Sequence, residues 1–272
     1  MRAITLCLML FLPTLVQGQA RPGSDAVLDA MQIEDLFEVM QEEAIVSGMG
    51  LVETMMPGRD LSGWRLTLTR LNAPSRMLPD FRTNFAEALP EDQEDAVLDY
   101  LTSPRGQRIV DLELSARVAL NEPDIQDIVL ERFEQMQRDN DPRAEVLTKF
   151  IDVNDLVEAN VLGALNANAA FLQGLRSGED VPGFLGGGDI LAEVWAQEPE
   201  IRSSTQDWLN AFVSLAYRPL SDEELQRHIA FSESMAGQAM NDALFAAFDV
   251  TFTQLSLDTG TALARLMGSE DL

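Results

Sequence analysis

Apolar residues recur along most of this chain at intervals of three and four, the period of a helix that turns one face toward a core. In "DAVLDAMQIEDLFEVMQEEAIVSGMGLVETMM" the residues Leu28, Met31, Leu36, Val39, Met40 and Ala44 fall on one stripe. That predicts either one helix or a short helix followed by a longer one. Pro57-Gly58 ends it. "DIQDIVLERFEQMQR", from Asp124, repeats the period with Ile125, Ile128, Val129 and Phe133. Only "WRLTLTR", from Trp64, alternates like a strand. Trp64, Leu68 and Leu71 also fit helical spacing, and no neighbouring run offers a strand partner, so this stretch is predicted helical too. The fold class is all-α.

Two phrases mark helix boundaries. "YLTSPRGQRIVD" begins at Tyr100 and "FSESMAGQAMND" at Phe231. Ser103 and Ser234, Gly106 and Gly237, Gln107 and Gln238, and Asp111 and Asp242 all differ in number by 131. Upstream of the second phrase, Ser221 followed by Asp222, Glu223 and Glu224 predicts a capping box, with a helix running to about Ser232. Ser103-Pro104 then predicts an N-cap and a first-turn proline, with Ser234-Met235 as its copy. Gly106 and Gly237 fall in that first turn, where glycine weakens a helix, and close approach of another backbone would compensate. The phrase therefore reads as a helix–corner–helix joint, a structural motif of Ser103, Gly106, Gln107, Ser234, Gly237 and Gln238.

The same offset pairs Trp64 with Trp195, Leu78 with Leu209, Phe81 with Phe212 and Leu89 with Leu220. Further upstream an offset of 120 pairs Asp35-Leu36 with Asp155-Leu156 and Glu38 with Glu158. The expected organisation is two tandem copies of a multi-helix unit, residues 25–140 and 142–270, packed as a helical array or bundle. The seam lies at the turn "RDNDPR", and an inserted Gly-rich loop spans 176–189.

Composition adds a compartment and removes several chemistries. Residues 1–20 have a basic start at Arg2, an apolar run from Ile4 to Val16 and a small-x-small end at Gly18-Gln19-Ala20, which predicts a cleaved signal peptide and a periplasmic or secreted protein. The apolar run is shorter than a membrane span needs, so no stable membrane anchor is expected after cleavage. Cys7, the one cysteine, lies inside that run, and His228 is the one histidine. Thiolate zinc sites and a cysteine nucleophile are thereby excluded from the mature chain, and a Ser-His-Asp triad and multi-histidine metal sites are read as excluded too. His228 itself is expected at the surface or half-buried, without a catalytic role.

Charge points the same way. The chain has 45 acidic and 19 basic residues, a formal charge of −26. Such a field repels phosphate backbones, so no nucleic acid partner is expected.

The second phrase with its leading helix, "LSDEELQRHIAFSESMAGQAM", resembles the family of exported bacterial proteins catalogued as domain of unknown function 2059. Leu220, Glu223, Leu225, Phe231, Ser234, Gly237 and Gln238 carry that resemblance, in an acid-rich helix start, an aromatic, then Ser-x-x-Gly before another helix. In the first copy Leu89, Tyr100, Ser103, Pro104, Gly106 and Gln107 fit, while Glu94 stands where Leu225 does. The resemblance implies an all-helical envelope protein and no particular activity.

Candidate chemistry is thin. "GFLGGGD" lacks the Lys-Ser/Thr of a phosphate-binding loop. "DND" at Asp139 lacks the Gly and closing Glu of a calcium loop. The methionines of "MGLVETMMPG" could ligate copper(I), but at helical spacing they read as core. Asp92, Glu94 and Asp95 read as solvated acids of a first helical turn. No catalytic, cofactor-binding or metal residues are assigned, and no cofactor is expected. The expected function is a non-catalytic envelope protein binding an envelope protein, a peptide or a small apolar ligand on a Met- and Phe-lined groove between the halves. The alternative is a carboxylate-dependent hydrolase of envelope material.

Overall fold

The computed structural model describes residues 21–177 and 189–268 and is all-α, with no strand among them. The predicted signal and most of the predicted inserted loop lie outside the described residues. The first stripe resolves into α1 (Pro22–Ala30) and α2 (Ile33–Met55), the short-then-long alternative. "WRLTLTR" is indeed helical, in α3 (Ser62–Leu71), followed by α4 (Pro74–Ala88), α5 (Glu91–Thr102) and α6 (Pro104–Ala119). Helix α7 (Pro123–Arg138) leads to the predicted seam. There Asn140 takes a left-handed φ of 53°, and Asp141 caps α8 (Pro142–Val153) by accepting from the Arg143 N–H. Then come α9 (Leu156–Leu175), α10 (Ile190–Trp195), α11 (Glu198–Ala216), α12 (Asp222–Ser232) and α13 (Met235–Gly268).

Several starts follow from local chemistry. Proline opens α1, α4, α6, α7 and α8, where its missing N–H costs nothing and its fixed φ suits the helix. Helix α12 has the predicted capping box in full: Ser221 Oγ accepts from the Glu224 N–H, and Glu224 accepts from the Ser221 N–H at 2.8 Å. Donation from the Ser221 N–H, and then from its hydroxyl, holds the Glu224 carboxyl below its ordinary pKa. No helix among the described residues is long and apolar enough to cross a membrane.

The cores join helices that are distant in sequence. One, around Phe37, Phe81 and Phe85, gathers side chains from α1, α2, α4 and α5 together with Ala243 and Ala247 of α13. The other, around Phe133, Tyr217 and Leu225, gathers α7, α8, α11 and α12 together with Ile109 and Ala116 of α6. Thus α6 packs on α11, and α13 packs on α4. Helix α6 bridges the two cores, since its Val110 belongs to the first. A third core at the far ends of α2 and α13 holds Trp64 and Leu263, with Met49, Met55 and Met56 packed around it. Those methionines are core filler, as their spacing predicts.

The α9–α13 contact is the most extensive in the fold. It depends on two glycines. A Cβ on Gly174 would overlap the Leu257 carbonyl oxygen and lie 2.8 Å from Thr261 N, and one on Gly260 would overlap the Phe171 carbonyl and lie 2.9 Å from Leu175 N. The backbones touch directly at this crossing.

Three sequence expectations are corrected. Trp64 is buried, with Nε1 donating to the Gly48 carbonyl at 3.0 Å, whereas Trp195 is 63% exposed at the end of α10, so their surroundings differ. Glu94 is not a solvated acid: it is buried beside Arg21, with 2.8 Å between the charged atoms. The contact is close as an ion pair but lacks hydrogen-bond alignment. The upstream pairing at an offset of 120 also fails. Asp155 is the left-handed residue before α9, whereas the left-handed residue before α2 is Gln32 and Asp35 lies inside α2.

Candidate functional site

The joint residues come first, because the sequence singled them out. Ser103 Oγ accepts from the Gly106 N–H at 3.0 Å and donates to the Tyr100 carbonyl at 2.6 Å. Ser234 Oγ accepts from the Gly237 N–H at 3.1 Å and donates to the Phe231 carbonyl at 2.6 Å. Gln107 Nε2 donates to the carbonyls of Ala30 and Leu101, and Gln238 Nε2 to those of Val153 and Ser232. Each glutamine therefore ties the end of α5 or α12 to the end of α1 or α8, satisfying carbonyls that a helix terminus leaves open. Arginines add a second matched clamp. Arg21 donates to the carbonyls of Ala86 and Leu89, and Arg143 to those of Tyr217 and Leu220.

The glycines are where backbones meet. A Cβ on Gly106 would overlap the Tyr100 carbonyl oxygen and sit 2.8 Å from that of Leu101. A Cβ on Gly237 would overlap the Phe231 carbonyl oxygen and sit 2.8 Å from Ser232 Cα. The expected close approach is present. The neighbours are backbone atoms, which cannot rotate aside, so even alanine is costly at these positions.

The two phrases also meet in space. The Tyr100 and Phe231 rings stack with centroids 3.6 Å apart and planes 3° apart. Tyr100 leads into a polar cluster that sequence reasoning missed. Its hydroxyl lies 2.8 Å from His228 Nδ1, His228 Nε2 lies 3.2 Å from Tyr217 Oη, and Tyr217 donates to Glu113 Oε1 at 2.5 Å. One tautomer satisfies the whole chain. With the proton on Nε2, Tyr100 donates to Nδ1, Nε2–H donates to Tyr217, and Tyr217 donates to Glu113.

His228 is buried, not at the surface as expected. Burial, then the Glu113 charge, raises the Tyr217 hydroxyl pKa well above its ordinary value, and the same two causes raise that of Tyr100. Both hydroxyls stay protonated and remain hydrogen-bond donors in the chain. The signal that could have found the cluster was scarcity: the chain has two tyrosines and one histidine, and all three are here. Tyr217→Phe strips the hydroxyl between Glu113 and His228 while keeping the ring. It should cost about 1–3 kcal/mol in a denaturant melt, the penalty for a buried polar group left without its partner. A melt unchanged from wild type would mean that the chain of bonds contributes nothing.

Two depressions bear on the expected apolar ligand and on the carboxylate alternative. The larger is a groove of about 580 Å³ between the early helices α2 and α3 and the later helices α9 and α13. Ala44, Ser47, Gly48 and Leu51 present one face of α2 to it, at helical spacing. Opposite stand Phe171, Leu172 and Leu255, with amides from Asn72, Asn168 and Gln197. None of its thirteen lining residues is ionisable. The apolar part of its wall is leucine, alanine and one phenylalanine rather than methionine: Met49, Met55 and Met56 pack against the adjoining core.

The second is a cleft of about 330 Å³ between α4 and α13, where Asp80 and Asp258 both line the wall. Asp258 is engaged there, paired with Arg76 and accepting from Gln254 at 3.0 Å. Among the described residues no group of three or more His, Cys, Asp or Glu side chains is placed to hold a metal ion. Of the "DND" acids, Asp141 is spent on capping α8. "GFLGGGD" lies outside the described residues except for Asp189, whose side chain caps α10.

Comparison of the chain with protein-family models, with curated proteins and with solved structures finds no match.

Proposed function

We propose that this chain is an exported, non-catalytic binding protein that holds an uncharged apolar ligand in the groove between α2, α3, α9 and α13. The observation that carries this reading is the absence of any ionisable side chain among the groove's lining residues, in a chain whose formal charge is −26. A concave apolar wall with a few amides and hydroxyls is the ordinary form of a small-molecule site. The acidic remainder of the surface keeps the protein soluble.

The architecture is proposed to be two divergent copies of a six-helix unit, α1–α6 and α8–α13, with α7 as the connector. Support comes from the matched bonds of Ser103 and Ser234, Gln107 and Gln238, and Arg21 and Arg143. On this reading the copies exchange their last helices, and the ligand groove opens where they meet. The resemblance to domain of unknown function 2059 and the signal-like residues 1–20 support an envelope location.

The test is titration of the protein with the neutral fluorophore N-phenyl-1-naphthylamine. Saturable enhancement is expected for wild type. Leu51 is 42% exposed on the groove wall, so Leu51→Arg should leave the melting temperature unchanged. It should weaken binding tenfold or more, because a guanidinium cannot be desolvated against an apolar ligand without cost. Wild type without saturable binding, or Leu51→Arg binding as wild type does, would overturn the proposal.

A further inference from the structure

A second pocket, separate from the groove, has the opposite character. It lies between α7, α8 and α11 and encloses about 220 Å³. Its interior is apolar, made by Ile128, Val129, Met136, Leu147 and Leu215. Ile128 is 66% exposed, which leaves one side open to solvent. Three arginines line the same pocket, Arg132, Arg143 and Arg218, against one acid, Asp141.

The arginines are not equivalent. Arg143 is occupied by the Tyr217 and Leu220 carbonyls and by Asp222, and Asp141 is occupied as the cap of α8. Arg132 and Arg218 are exposed, and their guanidinium groups have no hydrogen-bond or ion-pair partner among the described residues. A chain with 45 acidic residues against 19 basic ones has carboxylates to spare for every arginine. Two guanidinium groups left unpaired on an apolar pocket are therefore charge that the fold does not use. Arg132 sits one turn from both Ile128 and Met136, and Arg218 one turn from Ser214, whose buried Oγ also lacks a partner.

From this arrangement we infer that the pocket between α7, α8 and α11 binds a single-chain alkyl carboxylate, its tail against Ile128, Met136 and Leu215 and its headgroup on Arg132 and Arg218. A planar carboxylate matches the guanidinium fork. The size admits one short chain rather than a two-chain lipid. A phosphate headgroup, at about −1.5 to −2 near neutral pH, is disfavoured because the acidic field of the whole protein opposes a dianion more than a monoanion.

Calorimetric titration of the protein with hexanoate, octanoate and decanoate, below their micelle concentrations and at fixed ionic strength, tests this inference. Saturable binding should tighten about fourfold per added methylene until the pocket is full. Octylammonium and octyl phosphate should each bind at least tenfold more weakly than octanoate. The double variant R132Q/R218Q should lose tenfold or more in octanoate affinity with an unchanged melting temperature, since both side chains are exposed and unpaired. Leu51→Arg, in the groove, should leave octanoate binding intact. That separates failure of this pocket from failure of the groove.

The inference is overturned by any of four results: no saturable binding of octanoate or decanoate, octylammonium or octyl phosphate binding as tightly as octanoate, undiminished binding by R132Q/R218Q, or loss of octanoate binding in Leu51→Arg.

Discussion

Gly260→Ala should destabilise the protein by about 1–3 kcal/mol, although alanine is the best helix former. On sequence grounds the substitution ought to help. Gly260 lies well inside the 34-residue helix α13, and replacing an interior glycine by alanine removes a helix penalty of roughly 0.8–1.0 kcal/mol. The tertiary contact reverses the sign. The new methyl would enter the Phe171 carbonyl of α9, and backbone cannot step aside as a side chain can.

Gly174→Ala meets Leu257 from the other side and should cost a similar amount. Leu at either position should cost more, because more volume must be accommodated. The double Ala variant should lose less than the sum of the single losses, because the first methyl already separates the helices and the two sites share one contact. Denaturant melts of the two single variants and the double variant check this. Gly260→Ala as stable as wild type or more so would mean that α9 and α13 do not touch here.

The second large effect is expected at the joints. Gly106→Ala and Gly237→Ala should each cost about 1–3 kcal/mol, with Leu costing more at both. The reason differs from that at the α9–α13 crossing. At the joints the chain doubles back on itself, so the glycine Cα faces carbonyl oxygens only a few residues earlier, Tyr100 and Leu101 or Phe231. The serine cap and the glutamine hold that corner closed. A Cβ would have to open it, lengthening bonds that satisfy the ends of α5 and α12. Thermal melts should show matching losses at the two sites. A loss at one joint and none at the other would mean that the two corners are not equivalent, and the proposal of two copies would fail with it.

What the sequence determined by itself was local. Helical period, the Ser221–Glu224 capping box, the Ser103 cap with Pro104, and the turn at Asn140 depend on neighbours within a few residues, and all are present. Even "WRLTLTR", with its strand-like alternation, was decided by the lack of a strand partner and is helical in α3. The glycine positions were legible as close approaches, but not what they approach. Whether alanine helps or harms depends on a carbonyl brought there by the fold.

The tertiary structure decided everything that needs two distant segments. The packing of α6 on α11 and of α13 on α4 leaves no trace in periodicity, because an apolar stripe does not name its partner. Burial of Glu94 required Arg21 to arrive from 73 positions away, and burial of His228 required Tyr100, Tyr217 and Glu113 from three other elements. Both proposed binding pockets are likewise lined by residues from well-separated stretches of the chain, 44–259 for one and 128–218 for the other. Spacing along the chain cannot report a cavity, since a cavity is the volume that separate helices fail to fill.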